Sequence, residues 1–323
     1  MTELAGRFIK HHLIVFIIGL VVIILISGCA TTQPENRITT TPEPSVTSTY
    51  AVSTTQAYLP SKTPTSTSSP TQVNTPATEL PEEITDSQGV TMRLVPAGPF
   101  TMGSDSGHDD EQPVHTVTLI DYYMDVYEVT NAHYVACVDA GGCTPPYGTS
   151  SFTHSNYYRN IVYMNYPVIY VHWNQAKTYC EWRGARLPTE AEWEKAARGT
   201  DGSTYPWGNT TPSKSLVNYN DSIGDTAEVG SYESGKSPYG MYDMAGNVWE
   251  WVNDWYDFDY YRSSPTDNPQ GPSSGNYRVL RGGAWSSPVH KYEDFLSSAR
   301  RDGFDPDLGN YDLGFRCSRD ANP

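Results

Sequence analysis

Gly240-Met241-Tyr242-Asp243-Met244-Ala245-Gly246-Asn247-Val248-Trp249-Glu250-Trp251 is the stretch from which this chain is best read. It offers two carboxylates, Asp243 and Glu250, bracketing backbone carbonyls in a turn-rich loop. Hard cations such as calcium take six to eight oxygen ligands from such groups. A second loop of similar chemistry, Asn218-Tyr219-Asn220-Asp221-Ser222-Ile223, lies upstream. The plainer reading of both is a set of solvated turn carboxylates.

Working outward, two helices can be placed. Asn174 is expected to cap one through Arg183, with Ala176, Tyr179 and Cys180 on one face. The run Arg186-Leu187-Pro188-Thr189-Glu190-Ala191-Glu192-Trp193-Glu194-Lys195-Ala196-Ala197-Arg198-Gly199 predicts a second. Thr189 and Glu192 form a capping box, and Gly199 supplies a left-handed stop. Trp193, Ala196 and Ala197 give a core stripe at helical spacing. Short β-type segments such as His115–Ile120 and Arg278–Leu280 are separated by Gly, Pro, Asn and Asp turns. The expected class is α+β, with short sheets, few helices and much irregular loop.

These blocks occur in a fixed order. Met102-Gly103-Ser104 and Glu128-Val129-Thr130-Asn131 come first, followed by the capped helix and Tyr205-Pro206-Trp207-Gly208. The opening stretch comes next, then Arg281-Gly282-Gly283-Ala284-Trp285 and Leu313-Gly314-Phe315-Arg316-Cys317. Together they resemble the formylglycine-generating, or sulfatase-modifying-factor, domain family, whose fold is C-type-lectin-like. The resemblance implies one structural calcium on the side chains of Asp243 and Glu250 and the carbonyls of Gly246 and Val248. A second calcium would use the side chains of Asn218 and Asp221 and the carbonyls of Tyr219 and Ile223. It also implies a Cys180–Cys317 disulfide. In those enzymes a reactive, copper-binding cysteine pair follows the Gly-Gly motif. Here the segment reads Ser286-Ser287-Pro288-Val289-His290-Lys291-Tyr292, so Ser287 and Tyr292 stand where the thiols would be, and the family's serine after Gly-Gly is Ala284. Cu(I) favours soft thiolate ligands, which makes copper an unexpected cofactor for this member.

Beyond Cys29 there are four cysteines, and an even count in an exported domain reads first as disulfides. Cys137 and Cys143 bracket a short loop that could close on itself; the rival reading makes one pair a reactive dithiol.

Arg7 and Lys10 precede an apolar run from Leu13 to Ile26 that ends in Ile26-Ser27-Gly28-Cys29. That pattern reads as an export signal over 1–29 with a bacterial lipobox, in which Cys29 carries the lipid. An uncleaved anchor is the alternative. Either expectation puts the rest outside the cytoplasm, and the first lipid-anchors it to the outer face of the bacterial cell membrane. Residues 30–88 are rich in Thr, Ser and Pro and poor in large apolar side chains. Such composition is expected to form a disordered, semi-extended linker. The remaining 89–323 then make one domain. Of the total charge of −16, residues 1–29 carry +1 and 30–88 carry −4, leaving about −13 on the domain. That excludes nucleic acid as a favoured partner.

Three functions compete. The first is a surface-tethered, calcium-stabilised recognition or maturation module whose Tyr- and Trp-rich groove binds a peptide, protein or glycan. The second is an enzyme of different chemistry in the same pocket, drawing on His290, Tyr292 or Asp294. The third is the parent oxidase acting on sulfatase cysteines. A further cluster, His108-Asp109-Asp110-Glu111-x-Pro113-x-His115, has residue types that ligate zinc or iron, yet a turn followed by an edge strand explains it.

Overall fold

The computed structural model of the chain describes residues 79–290 and 293–322. Cys29, the apolar run, most of the Thr/Ser/Pro tract and Tyr292 lie outside the described residues. The elements in order are β1 (Glu83–Thr85), β2 (Thr91–Val95), β3 (Gly98–Met102), β4 (His115–Leu119), β5 (Tyr122–Asp125), α1 (Asn131–Asp139), α2 (Trp173–Trp182) and α3 (Glu190–Arg198). There follow β6 (Trp249–Trp255), β7 (Arg278–Arg281), β8 (Val289–His290), β9 (Glu293–Asp294), β10 (Arg301–Phe304), β11 (Leu313–Phe315) and β12 (Ser318–Asp320). Among the described residues no helix is long and apolar enough to cross a membrane.

Helix α3 starts where its sequence says. Thr189 Oγ1 accepts from the Glu192 amide at 3.2 Å, and the Glu192 carboxylate accepts from the Thr189 amide at 2.9 Å. Gly199, at φ 69°, ends it. Trp193, Ala196 and Ala197 are fully buried, as the stripe predicts. The same helix also buries its glutamates, which periodicity does not foretell. Glu190 pairs with Arg301 and Arg281, Glu192 with Arg186, and Glu194 with Arg281 and Arg198.

The cap of α2 is corrected. His172, not Asn174, precedes the helix; its ring accepts from the Gln175 amide at 3.3 Å, and the Gln175 side chain accepts from the His172 amide at 3.1 Å. A histidine ring nitrogen does here what Ser, Thr, Asp and Asn usually do. Helix α1 carries little sequence signal, because Val135 and Val138 blur the stripe formed by Asn131, Tyr134 and Cys137.

Two four-stranded sheets organise the rest, in the orders β1-β2-β5-β12 and β10-β7-β6-β11, with small hairpins β3-β4 and β8-β9. Strand β1 draws the linker's last residues into the first sheet. In the second sheet the register sets Glu250 opposite Arg281, and Arg281 opposite Arg301. Strand β11 runs parallel to β6 and puts Gly314 beside Glu250. One apolar core joins α3 to β3, β4 and β5; another joins α1 and α2 to Trp251 and Phe315. Both disulfides form: Cys137–Cys143 closes the short loop after α1, and Cys180–Cys317 ties α2 to the chain before β12.

Candidate functional site

Three loops are laced together below the Gly-Gly motif. The Gly246 amide donates to Gly282 O at 2.8 Å, Asn247 to Asn218 O at 3.0 Å, and Trp285 to Asn247 O at 2.9 Å. Asp221 and Asn220 donate in turn to Trp285 O and Ser287 O, at 2.9 and 3.1 Å. Such close backbone contact needs missing Cβ atoms. One added at Gly246 would fall 2.3 Å from Asn218 O, and one at Gly283 would fall 2.6 Å from Phe295 O. Both glycines also have positive φ, which a side chain resists.

The segment that follows is closed by a hydroxyl. Ser287 is buried, and its Oγ accepts from the Ala284 amide at 2.9 Å, completing a tight turn. Ala284 is fully buried beneath it. Ser286 Oγ donates to Asp312 at 3.0 Å. Trp285 packs against Phe152 and Tyr311, with ring centroids at 5.3 and 5.8 Å, while Phe152 and Tyr311 are 5.4 Å apart. Phe152 is 62% exposed and Tyr311 half-buried, while Trp285 is buried beneath them, so it is Phe152 with the edge of Tyr311 that faces solvent.

Behind these loops lies a buried acidic group. Glu128, Asp243 and Glu250 share one guanidinium, Arg316. Glu250 is held on both oxygens: Arg316 donates at 2.6–3.0 Å and Trp193 Nε1 at 2.8 Å. Glu128 accepts from Asn247 Nδ2 at 2.6 Å and from the Val248 amide at 3.3 Å. Asp243 Oδ2 accepts from the Gly230 amide at 2.7 Å. Burial pushes Asp243 up to about 6 and Glu128 well above the usual carboxylate range, each raised further by its acidic neighbours.

The sequence-derived ligands therefore fall into two groups. Asp243, Gly246, Val248 and Glu250 lie in one loop and strand start, where Gly246 O and Val248 O accept no hydrogen bond from the described residues. Glu250 is largely engaged elsewhere. In the other loop Asn218 is buried, its Oδ1 accepting from Ser222 Oγ at 3.2 Å, and Asp221 is exposed. Tyr219 O accepts from the Ser222 amide, and Ile223 is solvent-facing. Among the described residues no three His, Cys, Asp or Glu side chains converge as a metal group. That includes the 108–115 cluster, where Asp110 and Glu111 turn inward while His115 Nδ1 meets Pro113 O. Glu128 and Arg316 were not assigned from sequence. The signal available was an arginine inside the otherwise apolar Leu313–Cys317 run, which calls for a buried partner.

The model of the sulfatase-modifying factor enzyme 1-like domain matches residues 77–321. Serine/threonine-protein kinase pkn1 of Chlamydia pneumoniae is 39% identical over 253 residues, covering 72% of this chain; the chain spans only 38% of that relative's length. The formylglycine-generating enzyme of Streptomyces coelicolor is 35% identical, with 71% of this chain and 88% of the enzyme covered. The structure of PvdO from Pseudomonas aeruginosa superposes with a TM-score of 0.63 at 28% identity, covering 76% of this chain and all of that one.

Proposed function

The chain belongs to the sulfatase-modifying factor enzyme 1-like family, and we propose that this member is a surface-tethered recognition module, calcium-stabilised and without copper oxidase chemistry. One observation carries the reading. All four cysteines of the described residues are disulfide-bonded, and the turn after Gly282-Gly283 is closed by the Ser287 hydroxyl. A hydroxyl already accepting a backbone amide is a poor ligand for Cu(I), so the donor set does not fit copper.

The acidic group behind the loops suits calcium better. Three buried carboxylates against one arginine leave excess negative charge, which costs free energy unless it is protonated or neutralised. Asp243, with the carbonyls of Gly246 and Val248, would hold the ion, and Glu250 would reach it only by sharing its bonds to Arg316. Its role would be to cement the loops that carry the aromatic face. Phe152 and Tyr311, backed by the buried Trp285, then supply a contact surface for a peptide, protein or glycan, in keeping with the aromatic enrichment of binding surfaces. Export through the 1–29 signal and lipidation of Cys29 would place that surface outside the cell.

Cu(I) titration of the full chain, paired with oxygen uptake on a cysteine-containing peptide, tests the reading. Neither stoichiometric copper binding nor aldehyde formation is expected. Both together would overturn it in favour of the parent oxidase.

A further inference from the structure

On another part of the domain, a cleft of about 590 Å³ opens between the loop Gly103–His108 and the chain at Asp294–Ser297. Its volume is in the range of small-molecule sites. Its lining is polar: Ser104, Ser106, Thr204 and Ser297 bring hydroxyls, and Asp105, Glu111 and Asp294 bring carboxylates. Arg198 also lines it, but its N–H groups are committed inward. They donate to Ser203 O, Gly103 O, Gly202 O and Glu194. The cleft therefore presents net negative charge.

Glu111 is the informative residue. It is 1% exposed, and its Oε2 has no hydrogen-bond partner among the described residues. Arg300 stands 4.0 Å from the other oxygen, too far for a hydrogen bond. Leaving a buried carboxylate oxygen unpaired is costly, and native proteins seldom do so without a reason. Gly107 lies directly over it, since a Cβ there would fall 1.8 Å from Oε2. A side chain at 107 would force the carboxylate to move. Asp294 accepts from Tyr205 and, at 3.1 Å, from the Leu296 amide; among the described residues Asp105 accepts only from the Val114 amide at 3.3 Å. Both keep acceptor capacity facing the cleft.

We propose that this cleft is a binding site for a small hydroxylated primary amine, its ammonium group pairing with Glu111 in a cleft that Asp105 and Asp294 make acidic, and its hydroxyls meeting the serines and threonines of the wall. An ammonium supplies three donors where the cleft has unspent acceptors, and the positive charge it lacks. A carboxylate or phosphate ligand would meet repulsion at all three acids. Neutral sugars would satisfy the hydroxyls and leave the charge unpaired.

Glucosamine and glucose, titrated calorimetrically into the full chain at neutral pH, separate these cases. Saturable binding of glucosamine, with glucose at least roughly tenfold weaker, is expected from one charge-assisted contact. Glu111→Gln preserves shape and removes the charge, so it should weaken glucosamine by about tenfold and leave glucose unchanged. Asp105→Asn, at the rim and outside the core, should weaken it less and leave the melting temperature unmoved. Equal affinity for the two sugars, no saturable binding of glucosamine, or unchanged binding in both folded variants would overturn the proposal. The result does not depend on the copper test, which probes the segment after Gly282-Gly283.

Discussion

Arg316 and Glu250 show how single residues hold this domain together. Both are buried, and each would be an uncompensated charge without the other. Arg316→Met is expected to cost about 3–5 kcal/mol in chemical unfolding, because the carboxylate stays behind. The paired change Arg316→Met with Glu250→Gln should recover much of that loss. If the single variant unfolds at the wild-type denaturant concentration, the pair is not the support described. Ser287→Ala tests a smaller bond. It leaves the buried Ala284 amide without its acceptor, an expected loss of about 1–3 kcal/mol in the same measurement.

At the scale of elements, capping and cross-linking are separable. Thr189→Ala removes the box that starts α3 and should lower stability by about 1 kcal/mol. Replacing both Cys180 and Cys317 by serine opens a loop with a sequence separation of 137. The chain-entropy model puts that loss at up to ~5 kcal/mol, read as a shift in denaturation midpoint. A shift no larger than that of Thr189→Ala would show that the sheets close this loop unaided. The elements also differ in how legible they were. Helix α3 carries its own cap, stripe and stop, whereas α1 has a diluted stripe, and α2 is capped by a histidine that pattern rules do not favour.

For the molecule as a whole, buried carboxylates set the pH response. Burial raises Glu111 to about 7 and Asp254 to about 8, the latter with help from the Glu190 charge. Their folded values lie above those of the unfolded chain, so the folded state holds more protons across this range. Stability from these groups is present at low pH and declines as pH rises through about 7–8. His133 and His172, lowered by burial, act oppositely only below their ordinary value. We therefore expect the melting temperature in chelator to fall from pH 6.5 to 8.5. Added calcium should raise it throughout; no calcium effect would remove the ion from the account of the loops.

By itself the sequence determined the family, the capped helix α3, the short strands at 115 and 278, and the absence of thiols after Gly282-Gly283. Each of these is a local pattern or a residue identity, visible without knowing what lies opposite. Tertiary structure alone decided which charges meet. The pairing of Glu190 with Arg301 spans 111 residues, and that of Glu250 with Arg316 spans 66. The contacts of Phe152 with Trp285 and the unpaired oxygen of Glu111 likewise depend on distant segments. Burial and partnership are properties of the packed chain, and they decide whether a carboxylate serves as a solvated turn, a buried support or a ligand.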